Sequence, residues 1–323
     1  MPPIVSPPYL WMPQRGPDPA AIDRMARAFP RPATPMGEAW FMGDERRMYP
    51  QLRGALEALP DDDITSALEE IASGSSNFGP LREWIEWYHY LLPRLMMREW
   101  RPTYCQPAEL LFTAFIAQHP ASDGSLPYRE FRNDALGTLG QYIMAPHFWP
   151  DGEVDVVKCL GKWTGPSGIA GWFDAGNLLS ASLFFCTKYL APSEVETWFR
   201  SVIAIADGHW QVQIMTWLVG AHPILIGEIQ QPGDLPTAPF GVEWNWSHIL
   251  DGNYSGNHQP PVHHIPFLPA ENCAAIVEIA RGMEVEGFLE DFLTDPKMNT
   301  VASEVAGMPE RFLQLYRTDR LTD

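Results

Sequence analysis

Lysine is nearly missing from this chain of 323 residues: only Lys158, Lys162, Lys188 and Lys297 occur, so positive charge rests on arginine. With 22 basic against 40 acidic side chains the formal charge is −18. That excess repels phosphate and releases no counterions, so nucleic acid is excluded as an expected partner. Cysteine is scarce as well. Cys105, Cys159, Cys186 and Cys273 lie far apart with no C-x-x-C pair. The spacing predicts reduced, buried thiols in a cytoplasmic protein and no disulfide framework. Long apolar runs are absent. Ser201–Ile229, the most apolar stretch, is broken by Asp207, His209, Gln211, Gln213, His222 and Glu228. A membrane span needs about 20 largely apolar residues, so a buried helix pair is expected there, and no membrane partner. The opening Met1–Met12 has neither a basic region nor an uninterrupted apolar core, unlike a secretory leader.

What is present is helical grammar. Seven prolines fall in the first 20 positions, with Pro30, Pro32 and Pro35 following. They predict a proline-rich arm over 1–37 holding one short helix near Ala20–Ala28, because proline removes a donor and fixes φ. Beyond it a single α-helical domain is expected over 38–323. Met48, Leu52, Ala55, Leu56 and Leu59 form an apolar stripe that predicts a helix over Asp44–Leu59. Asp61–Asp63 open the next helix at its positive dipole end. Pro80, Pro107, Pro127, Pro192, Pro269 and Pro309 each stand before a further apolar-periodic run. Trp172–Tyr189 and His209–Val219 are nearly all apolar. No Asn-Gly or Asp-Gly turn sits between two alternating runs, so strands are not expected. The fold class is all-α. Ten or more helices with short connections fit an irregular HEAT-like stack of antiparallel helical hairpins. A long proline-rich loop near 230–269 interrupts it, with seven prolines and the aromatics Phe240, Trp244, Trp246, Tyr254 and Phe267.

No catalytic signature emerges. Gly165-Pro166-Ser167-Gly168-Ile169 lacks the last glycine of a nucleophile elbow, and no Gly-Lys-Ser/Thr opens the helix after Gly161–Gly171. Glu69/Glu70, Glu83/Glu86 and Glu284/Glu286 read as solvated helix faces and not as acid–base pairs. His248, His258, His263 and His264 gather four of nine histidines within 17 residues. With Glu243 or Asp251 they offer zinc donors, but no spacing matches a helical ligand pair. A metal-dependent hydrolase built on them is the alternative function. The expected cofactor set is empty, and so is the expected metal set. In the stripe Trp84, Trp87, Tyr88, Tyr90 and Trp100, Trp87 and Tyr90 fall off the main face, so an exposed aromatic is expected there.

Charge placement is the most informative signal. Residues 190–323 hold 18 acidic and six basic side chains, and residues 201–280 contain no Lys or Arg at all. That window carries seven carboxylates together with Trp210, Trp217, Trp244 and Trp246. A negative field beside aromatic anchors suits capture of a basic protein. The expected contact residues are Trp210, Trp217, Glu228, Asp234, Glu243, Trp244, Trp246, Asp251 and Tyr254. The expected partner is a basic toxin or effector domain, neutralised by occlusion.

The run Trp87–Met97, with its Leu92-Pro93-Arg94-Leu95, resembles a diffuse group of uncharacterised bacterial α-helical proteins. Pro127–Leu136 is similar to their next helix. The resemblance spans the first half of the chain. It implies an α-helical, HEAT-like bacterial protein of immunity or adaptor type, and carries over no catalytic residue.

Overall fold

A computed structural model describes residues 7–37, 48–73, 80–98, 100, 107–121, 126–160, 163–164, 170–171, 176–236, 241–242, 244–250, 266–285 and 307–317. The chain is all-α. Among the described residues the only strand pairing is a two-residue antiparallel contact, β1 (Trp163–Thr164) with β2 (Ala170–Gly171). None of the described helices is long and apolar enough to cross a membrane. The sequence suggested one domain behind an arm. Instead the residues gather into two compact units, each drawing on separate stretches of chain.

The first unit joins Pro17–Ile143 to Trp244–Ile265. It holds α1 (Pro19–Ala28), α2 (Asp61–Ser73), α3 (Leu81–Leu95), α4 (Pro107–Gln118) and α5 (Phe131–Thr138). Asp18 caps α1 by accepting from the Ala20 amide, and Pro19 occupies the first turn, where its missing donor costs nothing. Every residue of α4 from Pro107 to Ile116 is buried. A helix apolar all round is a core element, and α2 and α3 pack against it. Pro93 deletes one bond inside α3, yet the helix runs on to Leu95. The Arg94 guanidinium donates to the Tyr90 carbonyl at 2.7 Å and to the Phe29 and Ala26 carbonyls that end α1. Arg98 similarly donates to Asp61 and to the Leu56 and Leu59 carbonyls, fastening the start of α2.

Of the helix expected over Asp44–Leu59, residues 44–47 lie outside the described residues, and 48–59 form no α-helix. Its described part is two short 3₁₀ turns, Pro50–Arg53 and Leu56–Ala58. Pro50 has no amide to donate, Tyr49 before it takes φ of 50°, and Gly54 adopts an extended conformation between the turns. The expected helix after Pro127 is also shorter: α5 ends at Thr138 and continues as a 3₁₀ segment to Met144.

The second unit joins Met1–Gly16, Met144–Glu243 and Pro266–Asp323. It holds α6 (Asn177–Tyr189), α7 (Pro192–Ile203), α8 (Gly208–Leu225), α9 (Ala270–Val285) and α10 (Met308–Tyr316). Asp207 accepts from the Trp210 amide and so caps α8. From Trp210 through Ala221 only Gln211 is not buried, so α8 is the axis of this unit. Helix α9 packs against α6, α7, α8 and α10. Residues 7–16 of the arm belong to this body. Trp11 is inserted edge-on between Trp198 at 5.5 Å and Trp210 at 5.9 Å, and its amide donates to Ser201 Oγ. Edge-to-face indoles add about 0.5–1.5 kcal/mol to the area they bury. The loop expected over 230–269 divides between the units. Residues 230–236 and 266–269 belong to the second, and 244–250 lie in the first, with a 3₁₀ turn at Ser247–Leu250 on α4.

Candidate functional site

Of the sequence-predicted contact residues, three indoles are core. Trp210 and Trp217 are fully buried within α8, and Trp244 is 3% exposed with its Nε1 donating to Thr113 Oγ1. They cannot touch a partner, and the expected indole-studded face is corrected accordingly. A large apolar ring gains more from burial in a helix-lined interior than from display, by about 1.5–3 kcal/mol. Trp246 is half-buried, stacked at 6.4 Å on His248. Glu228 and Asp234 are exposed. Glu243, Asp251 and Tyr254 lie outside the described residues.

The other candidates resolve as follows. Trp84, Trp87, Tyr88 and Tyr90 are all buried, which corrects the expected exposed aromatic. Trp87 Nε1 donates to the Thr34 carbonyl, and Arg31 donates to the Tyr90 hydroxyl, so the ring edges turned off the α4 face are covered by the chain around residues 31–34. His248 is exposed with Nδ1 at 2.9 Å from the Asn245 carbonyl, whereas His258, His263 and His264 lie outside the described residues. No group of three metal-binding side chains occurs among the described residues. Of the glycine stretch only Trp163, Thr164, Ala170 and Gly171 are described, as β1 and β2.

One polar pair was not anticipated. His89 and His119 meet Nε2 to Nε2 at 3.1 Å in a cage of Phe29, Phe115 and Phe131. One ring must donate and the other accept, so both are neutral. Burial pushes His89 down to about 3, with the neighbouring His119 adding to the effect, and burial pushes His119 down to about 4. The nearby buried carboxylate of Asp134 is taken by Arg24 at 2.6 Å and by the Tyr128 hydroxyl at 2.8 Å. That leaves core chemistry, with no open position for a substrate.

Among the described residues of the second unit lies a groove of about 360 Å³, open to solvent. That volume lies near the lower end of ligand-sized cavities, which span about 300–1,000 Å³. One wall is the end of α8 and the turn after it, Ile224 to Gln230. Pro223 in the last turn leaves that helix end short of a donor, and Gly227 turns the chain at φ of 79°. The opposite wall is one face of α9, where Ala270, Cys273, Ala274, Val277, Glu278 and Arg281 recur at helical spacing. Between them the floor is Pro266–Leu268.

This floor is held from below. Buried Lys188 on α6 donates from Nζ to the Phe267 carbonyl at 2.6 Å, and the Phe267 amide donates to the Gln230 carbonyl at 3.1 Å. Burial lowers Lys188 to about 8. Asn272 Nδ2 donates to the Thr187 and Leu190 carbonyls and fixes the start of α9 to the end of α6. Glu278 in the lining, and Glu228 and Glu271 next to lining residues in sequence, are exposed. Arg281, the one cation in the lining, is bonded to Glu278 at 2.6 Å. His222, half-buried against Tyr316, is lowered by burial, with Arg311 and Arg281 lowering it further and Glu228 opposing them.

Sequence reasoning missed this groove because its lining is mostly apolar and drawn from two separated stretches, 224–230 and 266–281. The available signal was Ile224-Leu225-Ile226 directly after Pro223, inside the window without cations. No family model, curated protein or solved structure matches the chain.

Proposed function

We propose that this chain is a protein-binding module that captures a basic protein partner through its acidic surface. In its fuller form the reading is a bacterial, cytoplasmic immunity protein. Its helical hairpins, stacked in an irregular HEAT-like manner, occlude a cationic toxin or effector domain, and inhibition is steric and electrostatic without a cofactor. The observation that supports this is local charge imbalance. Among the described residues Glu228, Asp234 and Glu271 are exposed and engage no ion pair. No Lys or Arg occurs between Arg200 and Arg281 to offset them. Such a field steers a cationic partner to the surface and selects against anionic ones. The resemblance of Trp87–Met97 to bacterial immunity or adaptor proteins points the same way.

The test is calorimetric titration of the full chain with the cationic domain encoded beside its gene, repeated at 50 and 300 mM salt. The expected outcome is a one-to-one complex whose affinity weakens by about tenfold or more as the Debye length shrinks. Absence of binding, or affinity indifferent to salt, overturns the proposal.

A further inference from the structure

Resting on that reading, we infer that the groove between α9 and the turn after α8 receives a basic amphipathic helix of the protein partner. Its apolar anchors would enter the groove, and its cationic flanks would face Glu228, Glu271 and Glu278.

Three features converge on this occupant. The first is what the lining lacks. The walls are a helix face and a turn, with no strand edge among the lining residues. A peptide therefore cannot be held by backbone pairing, and recognition must pass through side chains, as when a helix lies in a groove. Along α9 the wall from Ala270 to Arg281 covers about 16 Å, or roughly three helical turns. A ligand helix with apolar residues at i, i+4, i+7 and i+11 presents its anchors over about the same length.

The second feature is apolar chemistry left open to water. Ile226 is 43% exposed at the lip of the groove and Ile229 is partly exposed, while Leu225, Phe267 and Val277 behind them are buried. Covering such an exposed apolar edge favours binding. The floor is already ordered by Lys188 and the start of α9 by Asn272, so little is lost in shaping the walls on binding.

The third feature is sign. Glu228 stands in sequence between the lining residues Gly227 and Ile229, and Glu271 between Ala270 and Cys273. Among the described lining residues the cationic side chain is Arg281, and Glu278 engages it. An apolar ligand carrying a carboxylate would meet a field of the wrong sign, whereas Lys or Arg beside its anchors meets the right one.

The experiment measures fluorescence anisotropy of labelled peptides with the full chain. The first probe is a synthetic peptide of about 15 residues, long enough for marginal helix formation, with Leu on one face and Lys on the other. The second has the same composition scrambled to remove the apolar face, and the third replaces every Lys by Glu. Binding of the first at least about tenfold tighter than the other two is expected, a difference of about 1.4 kcal/mol. Two variants probe the groove: Ile226→Asp makes its lip polar, and Ala274→Trp fills it. Both positions are exposed, so the melting temperature is expected to hold while affinity for the first peptide falls about tenfold or more.

If both cationic peptides bind equally, lose affinity with salt and ignore Ile226→Asp and Ala274→Trp, the groove assignment is overturned while the acidic-surface reading stands. If none of the peptides binds, or if the acidic peptide binds best, the groove assignment is overturned as well. The titration with the neighbouring cationic domain then decides the broader reading by itself.

Discussion

His89 and His119 meet through their Nε2 atoms with near-parallel rings among phenylalanines, and their position makes the fold sensitive to acid. An unfolded histidine titrates near 6.5, whereas these two are pushed down to about 3 and about 4 in the folded chain. Below pH 6.5 the unfolded state therefore binds protons that the folded state refuses, and stability falls as pH falls. The contribution is complete above 6.5 and is lost progressively toward 4 and then 3. Each unit of displacement is worth about 1.4 kcal/mol, so the pair contributes substantially to acid unfolding. Replacing both partners by apolar groups leaves no orphaned nitrogen, so His89→Leu/His119→Leu is expected to change neutral-pH stability little. The same double variant is expected to move the acid midpoint of the far-ultraviolet circular dichroism to lower pH. An unmoved midpoint would assign the acid response to other groups.

At the scale of an element, the arm is the segment whose sequence says least about its role. Its prolines announce an extended chain, but only the structure shows Trp11 buried between Trp198 and Trp210, with Tyr9 reaching Cys186 at 3.5 Å. Trp11→Ala removes an indole that is 2% exposed, and is expected to cost about 3–5 kcal/mol in urea denaturation. It should also open residues 7–16 to limited proteolysis. Helix starts were legible for a local reason. Asp18 and Asp207 cap α1 and α8, and Pro107 and Pro192 begin α4 and α7, where a missing amide is harmless. The stripe over Met48–Leu59 misled because its periodicity was sound while Pro50 and Gly54 broke the backbone beneath it. Of the groove only the apolar run Ile224-Leu225-Ile226 was legible. Its floor depends on Lys188 meeting Phe267, a contact across 79 positions that no local pattern encodes. The indoles failed for a complementary reason. Composition reports that Trp is abundant, but which side of a helix faces the core is settled by tertiary packing.

Over the whole molecule, 40 carboxylates against 22 cations leave a self-repelling fold. Such repulsion destabilises the compact state and is screened by salt. Raising sodium chloride from 10 to 300 mM is expected to lift the melting temperature by about 1–2 °C, a shift worth about 1 kcal/mol at this size. Scanning calorimetry checks this, and a falling temperature would show that ion pairs such as Arg98–Asp61 outweigh the repulsion. The same excess makes the acidic region beside α9 an electrostatic feature of the molecule as much as a local one.

Cys159, Cys186 and Cys273 are all buried, and burial raises each thiol above its ordinary value, Cys186 and Cys273 to about 12. A sulfur that stays protonated and shielded does not react as a nucleophile. While the native packing holds, oxidants and alkylating reagents therefore find almost nothing to attack at these three positions. Their modification becomes a clock for transient opening of the second unit, built into the chain without any added label.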